Sequence, residues 1–228
     1  MVPALLYLLY KKLKKQDWGK IRKNLYSRLF IRSNQAVFLL ITLYSLFLFN
    51  NLAQAQTRNY KVVRKGNEIG WVTVDRKTDS SKTVINFASE VKASFIFTFS
   101  TSAKETSEFR DGTLQHSYFF RKTNGNIKAD RHTRLAGSSY EVEGRQAKTI
   151  LAVGPVTFNT LCMYFQEPVG IKQVYSDNCQ CLLDIVKEPD GAYKIDSDGA
   201  TNRFYYLYGI CCRVEINSSF YSATLHLR

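Results

Sequence analysis

The stretch KETSEFRDGTLQHSYFFRKTNGNIKADRHTRLA, residues 104–136, alternates strand-like runs with two short turn signals. The turn signals are Asp111-Gly112 and Asn124-Gly125. Such dipeptides suit two-residue β-hairpin loops, because both central residues of the loop adopt positive φ. The run between them contains consecutive aromatic residues at 118–120, a residue type enriched in strands. The stretch therefore predicts three consecutive antiparallel strands joined by tight hairpins.

The same pattern continues over residues 58–228, where short strand-like runs are separated by turn residues. This spacing predicts about eleven or twelve strands and an all-β fold, an antiparallel sandwich, barrel or half-barrel. One short helix is predicted at residues 157–166, TFNTLCMYFQ. It begins after Gly154-Pro155 and ends before Pro168, because proline disfavours helical geometry in the residue that precedes it. We expect its apolar side to lie on the sheet or to plug an open end of it.

Upstream of the strands lies an apolar stretch that starts at residue 36. Residues 36–49 carry no charge, and as a helix they would span ~21 Å, short of the ~30 Å hydrocarbon core of a bilayer. That length is typical of a signal-peptide hydrophobic region, and Ala53 and Ala55 provide the small side chains that a signal peptidase accepts. Residues 36–55 are therefore predicted to form a signal peptide that is cleaved after Ala55. The alternative is an uncleaved transmembrane helix.

Residues 1–35 form a basic leader with apolar residues at helical spacing. One interpretation is an amphipathic helix on the inner membrane face. The favoured interpretation is a translated leader that results from the choice of start site, since the export signal is complete without it. Residues 56–228 are predicted to form a single domain, because no linker or repeat divides them. Contact with a membrane is expected only through the N-terminal segment.

Most of the apparent basic charge belongs to the leader. The chain has 32 Lys and Arg against 19 Asp and Glu, and residues 1–55 hold nine of the former and one of the latter. Residues 56–228 therefore keep 23 basic and 18 acidic residues, a net charge of +5. A domain with this balance needs no nucleic-acid partner to explain it, and none is predicted.

The five cysteines all follow the signal peptide. In a strand, Cys179 and Cys181 would point to one face, whereas Cys211 and Cys212 would point to opposite faces. Three interpretations stay open: buried cysteines that act as small apolar residues, one disulfide that joins the two segments, and a zinc or redox site. Because five is an odd number, at least one thiol stays free or pairs between molecules.

No catalytic set can be recognised in the sequence. The three histidines lie on separate predicted strands, and a G-x-S-x-G nucleophile motif and a Gly-rich phosphate loop are both missing. Glu141 and Glu143 share a strand face that is expected to meet solvent. A carboxylate pair for hydrolysis would otherwise have to come from Asp177, Asp184 or Glu215. We therefore predict no catalytic residue, no metal and no cofactor, and an enzyme of unknown class is only the third hypothesis.

The strands are rich in aromatic residues, and adjacent ones such as Tyr205-Tyr206 place rings on both faces of a strand. Two functional hypotheses follow. In the first, a non-catalytic protein holds an apolar, lipid-like or amphipathic ligand inside a barrel or groove. In the second, a structural or protein-interaction module uses an aromatic sheet face, with Tyr205 and Leu207 as the candidate surface. The oligomeric state is left open.

Four segments carry a resemblance to a known family, and they are YKVVRKGNEIG (60–70), TLCMYFQEPVG (160–170), VYSD (174–177) and YYLYGICCRVEI (205–216). In this order they resemble an uncharacterised family of exported Bacteroidetes proteins, a domain of unknown function. The resemblance implies an antiparallel β fold in the periplasm or outer cell envelope of a Gram-negative bacterium. Anchoring in the inner membrane is the alternative if the signal is not cleaved. The resemblance transfers no catalytic residue.

Overall fold

The computed structural model describes residue 11 and residues 54–94, 98–144, 148–197, 199–218 and 221–228. Residues Ala53–Arg228 form one compact unit. Its described part contains one 3-10 helix, Cys162–Tyr164, and fifteen strands. In chain order the strands are β1 (Gln54–Arg64), β2 (Asn67–Asp79), β3 (Lys82–Ser94), β4 (Thr98–Arg110), β5 (Thr113–Thr123), β6 (Asn126–Ala136), β7 (Ser139–Glu143), β8 (Lys148–Leu151), β9 (Gln173–Ser176), β10 (Cys181–Asp184), β11 (Val186–Lys187), β12 (Tyr193–Ser197), β13 (Ala200–Leu207), β14 (Ile210–Ser218) and β15 (Ser222–Leu227).

Thirteen strands form one antiparallel sheet in the order β11-β12-β13-β14-β15-β1-β2-β3-β4-β5-β6-β7-β8. Neighbours in this order are also neighbours along the chain except for β15 and β1, which pair through Tyr60 and Leu227. Strands β9 and β10 form a separate hairpin. The predicted all-β antiparallel class is confirmed. The strand count exceeds the prediction partly because the run CLLDIVKE is divided into β10 and β11 at Ile185.

Tight turns connect the hairpins where the sequence predicts them. Asp111 and Gly112 have φ values of 49° and 74°, and Asn124 and Gly125 have values of 49° and 78°. Two consecutive residues with positive φ define the type I′ turn, whose twist matches that of the flanking strands. The three strands predicted over residues 104–136 are therefore confirmed as β4, β5 and β6.

One face of the large sheet packs against residues 152–185, which we call the inner segment. The ring of Tyr164 in this segment lies 5.6 Å from the ring of Tyr60 on β1 and 5.9 Å from that of Phe87 on β3. On its other side it lies 5.8 Å from the ring of Phe204 on β13. One side chain reaches strands on both sides of β1, so the sheet curls around the inner segment as an open half-barrel.

The predicted helix at residues 157–166 is wrong, because only the 3-10 helix Cys162–Tyr164 forms there. Upstream of it, Asn159 makes a parallel β-bridge to Tyr175. The N–H of Thr160 donates to the Tyr175 carbonyl at 2.9 Å, and the N–H of Tyr175 donates to the Phe158 carbonyl at 3.1 Å. Pairing with a neighbouring strand therefore satisfies backbone groups that a helix would otherwise have used.

Most of the N-terminal predictions lie outside the described residues. This applies to the leader apart from Lys11, to the apolar stretch 36–53 and to Ala53 itself. Ala55 is described and lies in β1, paired with Lys77. In the described residues no helix has the length and hydropathy to cross a bilayer. The signal peptide and its membrane-anchor alternative stay predictions.

The tyrosine-rich strand β13 has two different faces. Phe204 is buried, and the Tyr206 hydroxyl donates to the Met163 carbonyl of the inner segment at 2.7 Å. Tyr205 faces the outside of the sheet. Tyr208 does not continue the inner face, because it lies in the turn before β14 and is 95% exposed.

We predict that Tyr206→Ala lowers the free energy of unfolding by about 3 kcal/mol, because it removes a packed ring and leaves the Met163 carbonyl without its donor. Tyr206→Phe should cost about 1 kcal/mol, since only the hydrogen bond is lost. The control Tyr205→Ala should cost less than Tyr206→Ala, because its partners lie on the outer face. Urea unfolding of the three variants measures these differences. Equal costs for the two alanine variants would contradict the two-faced description of β13.

Candidate functional site

The inner face of the sheet is not uniformly apolar. At positions where β4, β5 and β6 turn side chains inward, the chain places Glu105, Ser107, Ser117 and Thr133, all buried. Burial of a polar group is costly unless it finds a hydrogen-bond partner, so a partner must come from the element packed against these strands. The inner segment provides it.

Asn159 and Asp177 of the inner segment meet the serines of the sheet. The Asn159 amide donates to the Ser107 hydroxyl at 2.7 Å and to the Asp177 carboxylate at 3.2 Å. The Ser117 hydroxyl also donates to Asp177. These bonds connect β4, β5 and the inner segment through buried side chains, so they fix the position of Asp177 inside the half-barrel.

Two further contacts extend this buried polar network along the sheet. The hydroxyl groups of Thr133 on β6 and Tyr175 on β9 lie 2.8 Å apart. The Gln180 amide donates to the carbonyls of His132 within β6 at 3.0 Å and of Glu143 at the end of β7 at 3.2 Å. The inner segment is thus bonded to four consecutive strands.

Glu105 and Asp177 form a buried carboxyl pair. Burial raises the pKa of Glu105 well above its ordinary value of 4.5, and the charge and hydrogen bond of Asp177 raise it further. Burial also raises the pKa of Asp177, but its bonds from Ser117, Glu105 and Asn159 favour the ionised form. Glu105 has no such donors, so it is the residue that holds the shared proton and donates it to Asp177.

A cavity of about 240 Å³, partly open to solvent, adjoins this pair. Its walls come from the strands on both sides of β1 and from the inner segment, and Glu105 is part of the lining. Apolar lining residues include Val62, Phe87, Phe204, Val214 and Leu225.

A second group of lining residues is polar, and it includes Arg121, Asn178 and Asn202. The guanidinium carbon of Arg121 lies 5.9 Å from the centre of the Phe119 ring. The cavity therefore combines an extended apolar surface with a few polar groups, which is the usual composition of a small-molecule site.

Among the described residues, the buried network contains two serines and two carboxyl groups but no histidine. Ser107 and Ser117 receive or donate hydrogen bonds within the buried network, and in the described residues neither is bonded to a histidine. In the same residues no three His, Cys, Asp or Glu side chains are grouped as metal ligands.

The candidate surface predicted from the sequence lies elsewhere, on the outer face. The Tyr205 hydroxyl is bonded to Glu215 at 3.1 Å and to Asp190 at 3.2 Å, and the Arg213 guanidinium lies 3.8 Å from the centre of its ring. Leu207 is 58% exposed near the end of β13. Tyr205 is therefore engaged in a polar network and does not form an open aromatic patch with Leu207.

The structure joins Cys179 to Cys181 by a disulfide within the turn between β9 and β10. Cys162, Cys211 and Cys212 are free thiols. The bridge considered between the two segments is not formed, because Cys179 and Cys181 pair with each other. Cys211 is buried beside Tyr60, whose hydroxyl donates to the Cys211 carbonyl at 2.9 Å.

The sequence does not single out the residues of the buried network as a site, although Asp177 is among the carboxylates considered for a pair. A signal exists in β4, where Ala103, Glu105, Ser107 and Phe109 alternate on one face. A carboxylate between small and aromatic inward residues is unusual for a core strand. What cannot be read from β4 alone is the partner, which lies far along the chain.

The sheet and its cavity define an all-β protein of half-barrel type with a partly enclosed apolar interior. A family model described as "Domain of unknown function (DUF6134)" matches residues 60–228. The chain belongs to this family. The expected membership of a domain of unknown function is therefore confirmed, whereas Bacteroidetes origin and export stay predictions.

A comparison with curated proteins finds no match. Among solved structures, the chain is similar to a β-barrel-like protein of another domain of unknown function, DUF1849, from Brucella abortus. The TM-score is 0.48 at 12% sequence identity, and the superposition covers 77% of this chain and 95% of the other.

The raised pKa of Glu105 predicts a pH-dependent stability. The folded state keeps a proton that the unfolded chain releases above about pH 4.5. The contribution of protonated Glu105 to the free energy of unfolding is therefore fully present below that pH. It is lost as pH rises through the pKa that Glu105 has in the folded state. Glu105→Gln cannot ionise and keeps a donor for Asp177, so the free energy of unfolding of the variant should rise relative to that of the wild type as pH increases above about 4.5.

Thermal unfolding of both proteins across this range measures the difference. Asp177, His116, Cys162 and Tyr164 face the pair or influence it electrostatically, and all are present in both proteins, so the comparison isolates residue 105. A constant difference across the range would contradict a shared proton.

Proposed function

We propose that this protein is a non-catalytic, exported cell-envelope protein that holds an apolar or amphipathic small molecule inside its half-barrel. The observation that carries the proposal is the pocket of about 240 Å³ between the curled sheet and the inner segment, which is partly open to solvent. Its lining joins an extended apolar wall to a few polar groups, the composition that small-molecule sites usually have.

The size of the cavity limits the class of ligand. Sites for drug-sized molecules measure roughly 300–1,000 Å³, so about 240 Å³ suits a smaller molecule or a single aliphatic chain. Phe204, Val214 and Leu225 provide an apolar wall against which such a chain would be removed from water.

Ligand binding is tested by filling the cavity. Ala103 lines it, whereas Ala88 on the adjacent strand β3 lies between Phe87 and Ser89, which are lining residues, and so faces the opposite side of the sheet. We predict that Ala103→Trp abolishes binding of an environment-sensitive apolar dye, because the indole occupies the space. The matched control Ala88→Trp should bind the dye as the wild type does.

Dye fluorescence and native mass spectrometry of the protein from its own host measure the outcome. Circular dichroism of both variants checks that the sheet is retained. Unchanged dye binding by a folded Ala103→Trp protein would reject the cavity as the site.

Export is supported by the apolar stretch before Ala55 and by the Cys179–Cys181 disulfide, since disulfides persist in oxidising compartments. We predict that the mature protein begins at Gln56. N-terminal sequencing of the protein isolated from its host measures this. An intact leader on a membrane-bound form would instead assign residues 36–55 as an anchor.

A second candidate, a protein-interaction module, is favoured by the tip of the β13–β14 hairpin. Leu207, Tyr208 and Ile210 are 58%, 95% and 42% exposed. An exposed apolar group of this kind suits a protein partner better than the outer face around Tyr205, whose polar groups are already paired. Replacement of Tyr208 by serine would weaken partner binding under this candidate and leave dye binding unchanged.

A further inference from the structure

The chemistry of the cavity wall also indicates what kind of polar group its ligand carries, an inference that rests on the proposed function. Glu105 is 7% exposed and forms part of the lining. In the described part of the chain Asp177 is the hydrogen-bond partner of its carboxyl group, and no other donor reaches its buried Oε1 atom. A carboxyl group has two oxygens, so the bond to Asp177 leaves one without a partner.

Asp177 cannot provide that partner or take a ligand itself. Its carboxylate is 1% exposed and already accepts bonds from Ser117 and Asn159 in addition to the one from Glu105. The free acceptor of the pair is therefore the Glu105 oxygen. An unpaired buried acceptor costs about 1–3 kcal/mol, which a donor from a bound molecule would offset.

The charge around Glu105 determines which polar group of a ligand is favoured beside it. The pair carries the negative charge of Asp177, and no ion pair between described residues involves either carboxylate. Arg121 lines the same cavity but forms no ion pair with Glu105 there. A carboxylate or phosphate placed against Glu105 would meet an acceptor beside a negative charge, whereas an O–H or N–H group would meet the partner it requires.

We infer that the cavity binds an amphipathic molecule whose hydroxyl or amino group donates a hydrogen bond to Glu105, with its aliphatic part against Val62, Phe204 and Val214. The molecule enters with its donor toward the carboxyl pair. Anionic amphiphiles of the same length bind more weakly in this position.

Two isomeric probes test the inference, octanol and heptyl methyl ether, because they have the same atoms but only octanol donates a hydrogen bond. Isothermal titration calorimetry with the whole chain measures both affinities. Octanol should bind about fivefold to tenfold more tightly than the ether, the difference expected for one buried hydrogen bond. Octanoate should bind more weakly than octanol.

Variants at residue 105 separate the acceptor from the charge. Glu105→Gln keeps an amide donor for Asp177 and a carbonyl acceptor for the ligand, so the preference for octanol should persist. Glu105→Leu combined with Asp177→Asn removes both the acceptor and the buried charge, so the preference should vanish. Glu108→Gln, on the outer face of the same strand beside Lys82, is the matched control and should keep the wild-type preference.

The outcomes distinguish the inference from the proposed function. If both isomers bind the wild type equally, or if octanoate binds most tightly and points to Arg121, the inference is overturned while the cavity remains a ligand site. If no probe binds, the proposed function itself fails for this class of molecule. If the double variant does not fold, the wild-type and Glu105→Gln affinities still decide, because a loss of preference in Glu105→Gln contradicts the role of the carbonyl acceptor.

Discussion

An open sheet leaves a concave face that must be covered, and the inner segment covers it. In the described residues the edge strands β8 and β11 do not pair with each other, so the sheet does not close on itself as a complete barrel. Its inward apolar side chains would face water without a second layer, at a cost of about 25 cal/mol for each Å² exposed. Leu161, Met163 and Tyr164 provide that layer. The cavity is the part of the concave face that they leave uncovered.

Apolar contacts alone would allow the inner segment to slide along the sheet, and the buried polar network removes this freedom. Asn159 and Asp177 each bond to a serine on a particular strand. Hydrogen bonds in a low-dielectric interior depend strongly on geometry, so a shifted register would leave several groups unpaired. A buried carboxyl pair adds little net stability compared with an apolar replacement. The proposed recognition of a ligand would account for its place beside the cavity more directly than stability does.

The sequence predicts the fold class and many of the hairpins, because these depend on local signals. Asp111-Gly112 and Asn124-Gly125 specify their turns through positive φ, which neighbouring residues do not alter. The prediction of a helix at residues 157–166 is wrong, because this backbone pairs with Tyr175. The local sequence contains no signal for a pairing partner that lies outside the segment. The candidate site could not be predicted for the same reason. Glu105 and Asp177 are 72 positions apart in the chain and meet only after the sheet has curled.

The turn between β9 and β10 links the proposed ligand site to the conditions under which the protein folds. Asp177 opens this turn, and the Cys179–Cys181 disulfide lies within it. A bridge that spans so few residues constrains the unfolded chain only slightly, so its effect is local. Gln180, held between the two cysteines, adopts a φ of 55° and donates to the carbonyls of His132 in β6 and Glu143 at the end of β7. Without the bridge, this conformation of a non-glycine residue would rest on those two side-chain bonds and the backbone bond to Ser176. The position of Asp177, and through it the free acceptor of Glu105, is therefore supported by a covalent bond that persists in an oxidising compartment.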